Sequence, residues 1–95
     1  MAIASNAQNI EIFIGNGTAT TFTLPVPADY VQQVVVVTPG TDTTVTTYTA
    51  TSAAASSTNV NFNGAPEAPG ATLTFETAPA SSALILVPYL PAGTL

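Results

Sequence analysis

The hydrophobic pattern of this chain has a period of two. Ile10, Ile12 and Ile14 alternate with Glu11 and Phe13, and Phe22 and Leu24 alternate with Thr21 and Thr23. Val60 and Phe62 alternate with Asn59, Asn61 and Asn63, and Leu73 and Phe75 with Thr72, Thr74 and Glu76. Successive side chains of a strand point to opposite faces, so such runs bury one face and wet the other as half-buried β-strands. Two runs, Val34 to Val37 and Leu84 to Val87, are apolar on both faces. They read as central strands, either covered on both sides or meeting another subunit with their outer face.

The breaks agree with strands. Asn16-Gly17 and Asn63-Gly64 suit turns that need a positive φ. Pro25, Pro27, Pro39, Pro66, Pro69, Pro79 and Pro91, with Gly40 and Gly70, punctuate the rest. The reading is about seven strands, at 10–14, 20–24, 31–38, 43–51, 58–62, 71–76 and 83–88. Repeats of about 10–12 residues predict an all-β fold, a single antiparallel β-sandwich or barrel. Thr is abundant in 41–51, where its branched Cβ suits a pleated surface. Thr51 to Thr58 reads as a flexible loop, because so short a run of small residues cannot hold an isolated helix.

Ninety-five residues make one domain, 1–95, with 1–9 and 89–95 as extended arms. A chain this short buries roughly 60–65% of its unfolded surface, so its core is modest. Only 5% of the residues are charged, against about 25% in ordinary domains. The charged residues are Glu11, Asp29, Asp42, Glu67 and Glu76, for a formal net charge of −5. With no Lys, Arg or His, no two side chains can form a salt bridge, and stability must come from burial and hydrogen bonds. Nucleic-acid binding draws most of its affinity from cations on phosphates, so a nucleic-acid partner is not expected. The same argument removes attraction to anionic lipid. The longest strongly apolar run, Ala83 to Leu90, is far shorter than the roughly 20 residues of a membrane helix. The first residues carry no positive segment followed by an apolar core, so no secretory signal is expected there.

Catalytic chemistry finds little to work with. There is no His, Lys or Cys, hence no ordinary general base near neutral pH, no triad and no thiolate. Glu67 and Glu76 could pair as glycosidase carboxylates do, but solvated carboxylates are the simpler reading. Asp29, Asp42 and Glu67 lie near the expected loops without forming a D-x-D cluster, so no metal or other cofactor is expected. Gly15-Asn16-Gly17-Thr18 has the look of a phosphate loop but lacks the following Lys, and reads as a turn. Tyr30, Tyr48 and Tyr89 could offer sugar-facing rings, though a tyrosine in such a fold more often lines the core rim.

Free strand edges are usually guarded by charge, especially Lys, or by Pro. Here the Val- and Thr-rich runs carry almost no charge. Either Pro and loops cover the edges or neighbouring subunits pair with them, and the second option predicts a homo-oligomer.

The run Gly15 to Pro27, GNGTATTFTLPVP, resembles a motif of small β-modules in bacteriophage virion structural proteins, of tail-fibre and capsid-decoration type. The motif reads roughly G-D/N-G-T-x-T-x-F-T-L-P, matched by Gly15, Asn16, Gly17, Thr18, Thr20, Phe22, Thr23, Leu24 and Pro25. The resemblance continues through Val34 to Val37, Tyr48-Thr49, Val60 and Phe62. It closes with Phe75, Thr77, Ala78, Pro79 and Ala80 before Leu84 to Val87, and so covers most of residues 12–89. Ser82 stands where the pattern has Gly, and residues 51–70 look like an insertion or an added hairpin. In this reading Gly15 and Gly17 turn the chain into a hairpin, and Phe22, Leu24, Phe62, Phe75 and Pro79 anchor the core.

The resemblance implies a non-enzymatic structural protein of the virion. A capsid decoration or cement protein, held non-covalently on the major capsid protein, is the first expectation. A tail, neck or fibre component is the alternative, and a glycan-binding module a further one. Met1 reads as the start of a short free-standing protein. Contacts are expected from exposed parts of 1–9, 31–38 and 83–95, and no single residue stands out.

Overall fold

The computed structural model describes residues 9–25, 28–63 and 71–91. They form β1 (Asn9–Ile14), β2 (Thr21–Thr23), β3 (Ala28–Tyr30), β4 (Gln33–Thr38), β5 (Thr44–Thr51), β6 (Asn59–Asn63), β7 (Thr72–Thr74) and β8 (Leu84–Pro91), with no helix among them. The strands pair in the order β1-β8-β4-β5-β6-β7-β2, and β3 pairs with the end of β8. The two ends of this order, β1 and β2, are consecutive stretches of chain. The sheet therefore curls into a nearly closed barrel. The doubly apolar runs lie in its middle: β8 between β1 and β4, and β4 between β8 and β5.

The structure departs from the sequence expectation in four ways. First, the sheet is not wholly antiparallel, because β5 and β6 run parallel, with Thr49↔Asn59 and Thr51↔Asn61 as partners. A parallel pair usually needs a long crossover. Here the overlap is short, so the chain has only about 10 Å to retrace. Second, the link between β5 and β6 is bonded to β6 by asparagine side chains, contacts the sequence reading did not include. Asn59 Nδ2 donates to the Ala54 carbonyl (2.8 Å), and Asn61 Nδ2 donates to the carbonyls of Ser52 (3.2 Å) and Ala53 (3.0 Å). Third, β3 is an additional strand, with a register shift between Ala28 and Tyr30. Fourth, Asn9 and Tyr89 to Pro91 belong to strands rather than arms; 1–8 and 92–95 lie outside the described residues.

The barrel interior is apolar. Leu24, Val34, Val60, Leu73, Ile85 and Val87 are fully buried, with Phe75 and Tyr89 nearly so. Four aromatic rings form a chain through this core. Phe13 and Phe22 have centroids 5.3 Å apart, Phe22 meets Phe75 edge-on at 5.8 Å, and Phe75 meets Tyr48 edge-on at 5.3 Å. Edge-to-face contacts of this kind set the positive rim of one ring against the negative face of the next. The cluster ties together β1, β2, β5 and the residue just after β7.

The Gly15–Thr20 segment does not make a hairpin. β1 pairs with β8 and β2 pairs with β7, so the two never pair with each other. The segment is instead a bend. Asn16 Oδ1 accepts hydrogen bonds from the backbone N–H of Thr18 (2.9 Å) and Ala19 (2.8 Å), which replaces the ladder locally. Gly17 has φ +85°, a left-handed conformation that glycine adopts without strain. Gly15 is there for a different reason. A Cβ at this position would collide with the Ala80 carbonyl oxygen and press on Pro79 Cβ at 3.2 Å. The strand passes here directly beneath the backbone that leads into β8.

That backbone ends in a tight turn closed by Ala83 N–H donating to the Ala80 carbonyl (3.0 Å). Ser82 occupies its third position with φ +71°, the sign a type II turn requires there. Gly is the residue best suited to that conformation, which gives a physical reason for Gly at this place in the pattern the sequence resembles. Ser82 bears a strain of about 1 kcal/mol instead.

Candidate interaction surface

β1 is half-buried in the opposite sense from its apolar count. Phe13 turns inward to Phe22, and Glu11 shares its face. Ile10, Ile12 and Ile14 point outward, with exposures of 61, 55 and 67%. The neighbouring strands add to that outer face. In β8 the buried set is Ile85, Val87 and Tyr89, leaving Leu84, Leu86 and Pro88 outside; in β4 Val34 and Val36 are inside and Val35 and Val37 outside.

Register aligns these residues into rows. Ile14 lies opposite Leu84, Leu84 opposite Val37, and Val37 opposite Val45. A second row runs Ile12, Leu86, Val35, Thr47. Ile10 opposite Pro88 begins a third. Val45 is 63% exposed and Leu84 42%. Directly opposed residues on one face lie close enough for their side chains to touch. The result is one continuous apolar face across four strands, with no charged residue in it. Monomeric proteins rarely expose apolar patches beyond a few hundred Å2, and larger ones mark contact surfaces.

The three charged side chains whose surroundings are described lie elsewhere. Glu11 is on the inner parity of β1, Asp42 is exposed in the β4–β5 turn, and Glu76 is exposed after β7. Glu67 lies outside the described residues, so its pairing with Glu76 has no geometry here. Among the described residues no three acidic side chains gather where a metal ion could be held. Tyr48 packs on Phe75 and Tyr89 is buried, so these two rings serve the core rather than an exposed platform.

The residues singled out from sequence lie in the core and at the bend. Leu24, Phe75 and Pro79 are buried, Phe22 and Phe62 pack partly buried against the core, and Gly15 and Gly17 shape the bend. The apolar face takes Val35 and Val37 from 31–38 and Leu84, Leu86 and Pro88 from 83–95, two of the segments expected to make contacts. The outward isoleucines of β1 are a contribution the sequence reading missed. The alternation separates the two sets but does not orient them; the packing of Phe13 on Phe22 does. No helix long and apolar enough to cross a membrane occurs among the described residues. Compared with protein families, curated proteins and solved structures, the chain matches none.

Proposed function

We propose that this protein is a non-catalytic structural component of a bacteriophage particle, a decoration or cement protein that docks on the major capsid protein by its apolar outer face. The carrying observation is that face: among the described residues of four adjacent strands, Ile10, Ile12, Ile14, Leu84 and Val45 are exposed, Val35, Val37 and Leu86 lie half-buried between them, and none is charged. A surface of this kind is stabilised by being covered. Buried apolar area is worth about 25 cal/mol per Å2, so several such side chains supply the core of an interface. Repetition over symmetry-related sites then multiplies a modest single contact. The particle itself is supported by the resemblance of Gly15 to Pro25 and the later strands to virion β-modules. The absence of every cationic and thiol group from the sequence supports a role without chemistry.

The docking mode has a specific test. Binding of the protein to particles stripped of it should survive about 1 M salt, where the screening length falls to about 3 Å. Leu84→Lys places a charge in the Ile14–Leu84–Val37–Val45 row of the face at an exposed position. It should weaken binding about tenfold or more while leaving the circular dichroism spectrum unchanged. Release of the wild type in moderate salt, with Leu84→Lys binding normally, would instead place the contact on the acidic residues.

A further inference from the structure

β1 has a second property besides its outward isoleucines. It ends the sheet order, and among the described residues β8 is its one strand partner. Gly15 N–H donates to the Ala83 carbonyl (2.8 Å), which fixes the parity of the ladder. In an antiparallel pair, alternate residues turn their backbone groups toward the partner and away from it. Phe13 and Glu11 therefore bond toward β8, and the N–H and C=O of Ile10, Ile12 and Ile14 point to the free edge. This edge is lightly guarded: β1 contains no Pro and no Lys, and its one charge, Glu11, lies on the parity that bonds toward β8.

We infer that β1 pairs antiparallel with β1 of a second copy of this chain, about a two-fold axis at Ile12. The register follows from the free groups. Centred on Ile12, Ile10 opposes the partner's Ile14 and every outward backbone group of the three isoleucines is used. Centring on Ile14 would set Ile10 and Ile12 against the bend after β1, and among the described residues only the Ile12 register pairs all three. The Ile12 register also sets Glu11 against the partner's Phe13, so the two Glu11 carboxylates do not face each other. The two apolar outer faces then lie side by side on one surface of a continuous sheet, doubling what a third party could cover.

The contact is small. Three isoleucines and one strand edge cover on the order of 300 Å2 per copy, below the roughly 800 Å2 per partner of a standard interface. A weak dimer is expected, with a Kd of roughly 10–100 µM. Each copy carries a net charge of −5 and the contact is uncharged, so added salt should tighten it.

The inference does not depend on the particle reading. It is tested by sedimentation of the free protein together with disulfide trapping, and the natural chain contains no Cys to interfere. Residues opposed in a hydrogen-bonded antiparallel pair have Cα atoms about 5.5 Å apart, within disulfide range. Ile12→Cys should therefore cross-link to a covalent dimer under mild oxidation. Ile12→Pro removes an N–H that points away from β8, so the fold should persist and self-association should fall at least tenfold. If Ile12→Pro fails to fold, the trapping result decides. A wild type that stays monomeric to about 500 µM, or Val45→Cys cross-linking while Ile12→Cys does not, overturns the inference. Failure to find the protein on particles would leave this result standing.

Discussion

Phe75→Ala is expected to remove most of the stability of the fold. Phe75 is 3% exposed and meets two other rings edge-on, Phe22 from β2 and Tyr48 from β5. Its removal takes away the transfer free energy of a buried aromatic and opens a cavity in the middle of the core. Such truncations cost about 3–5 kcal/mol. A chain of this length has a total stability at the lower end of about 5–15 kcal/mol, so the loss is most of it. The check is a urea titration followed by far-ultraviolet circular dichroism, with Phe75→Leu as a milder companion that keeps much of the volume. A cost below about 1 kcal/mol for Phe75→Ala would mean that the ring cluster is not the centre of the core.

Gly15→Ala should be the costliest change among the glycines of the bend, and for a reason separate from conformation. The backbone of Gly15 is not in the left-handed region, whereas that of Gly17 is. What Gly15 lacks is space: a Cβ would strike the Ala80 carbonyl oxygen, with the Pro79 ring at 3.2 Å behind it. Neither can step aside. Gly15 N–H donates to the Ala83 carbonyl, and the Gly15 carbonyl accepts from Ser82 N–H (2.9 Å), which holds the two backbones together. Overpacking of this kind costs about 1–3 kcal/mol, and a backbone obstacle puts it at the upper end. At Gly17 the nearest atom to a Cβ is Ser81 N at 3.8 Å, so only the positive φ is penalised, by about 1–2 kcal/mol. Asn, which tolerates the left-handed region, should rescue position 17 and not position 15. Equal denaturation midpoints for Gly15→Asn and Gly17→Asn would contradict the crossing geometry.

Much of the architecture was legible in the residues. Runs alternating Val or Phe with Asn and Thr became β6 and β7, and the two doubly apolar runs became the central β4 and β8. What escaped has a physical cause in each case. Ala28–Tyr30 is too short to show a period. The parallel pairing of β5 and β6 depends on asparagine side chains bonding loop carbonyls eight or nine residues away in Asn61, a tertiary fact. Asn16-Gly17, a strong hairpin signal, became a bend because the chain on either side found better partners in β7 and β8. Alternation in β1 separates Ile10, Ile12 and Ile14 from Glu11 and Phe13 but does not say which set goes in. The contact between Phe13 and Phe22 decides it, and places three isoleucines on the surface. The interaction face was thus half legible: Val35, Val37, Leu84 and Leu86 stood out as apolar residues on a second face, and β1 did not.

We propose that this chain is a structural part of a phage particle, which would be present in numbers set by the shell. It is tested most directly by counting copies per purified particle, using quantitative mass spectrometry against the major capsid protein. Chymotrypsin is the enzyme to use, since a chain without Lys or Arg gives trypsin nowhere to cut. Copies comparable to the capsid protein are the predicted result. A few to a few tens of copies would move the protein to the tail, neck or fibre, and its absence from particles would contradict the account.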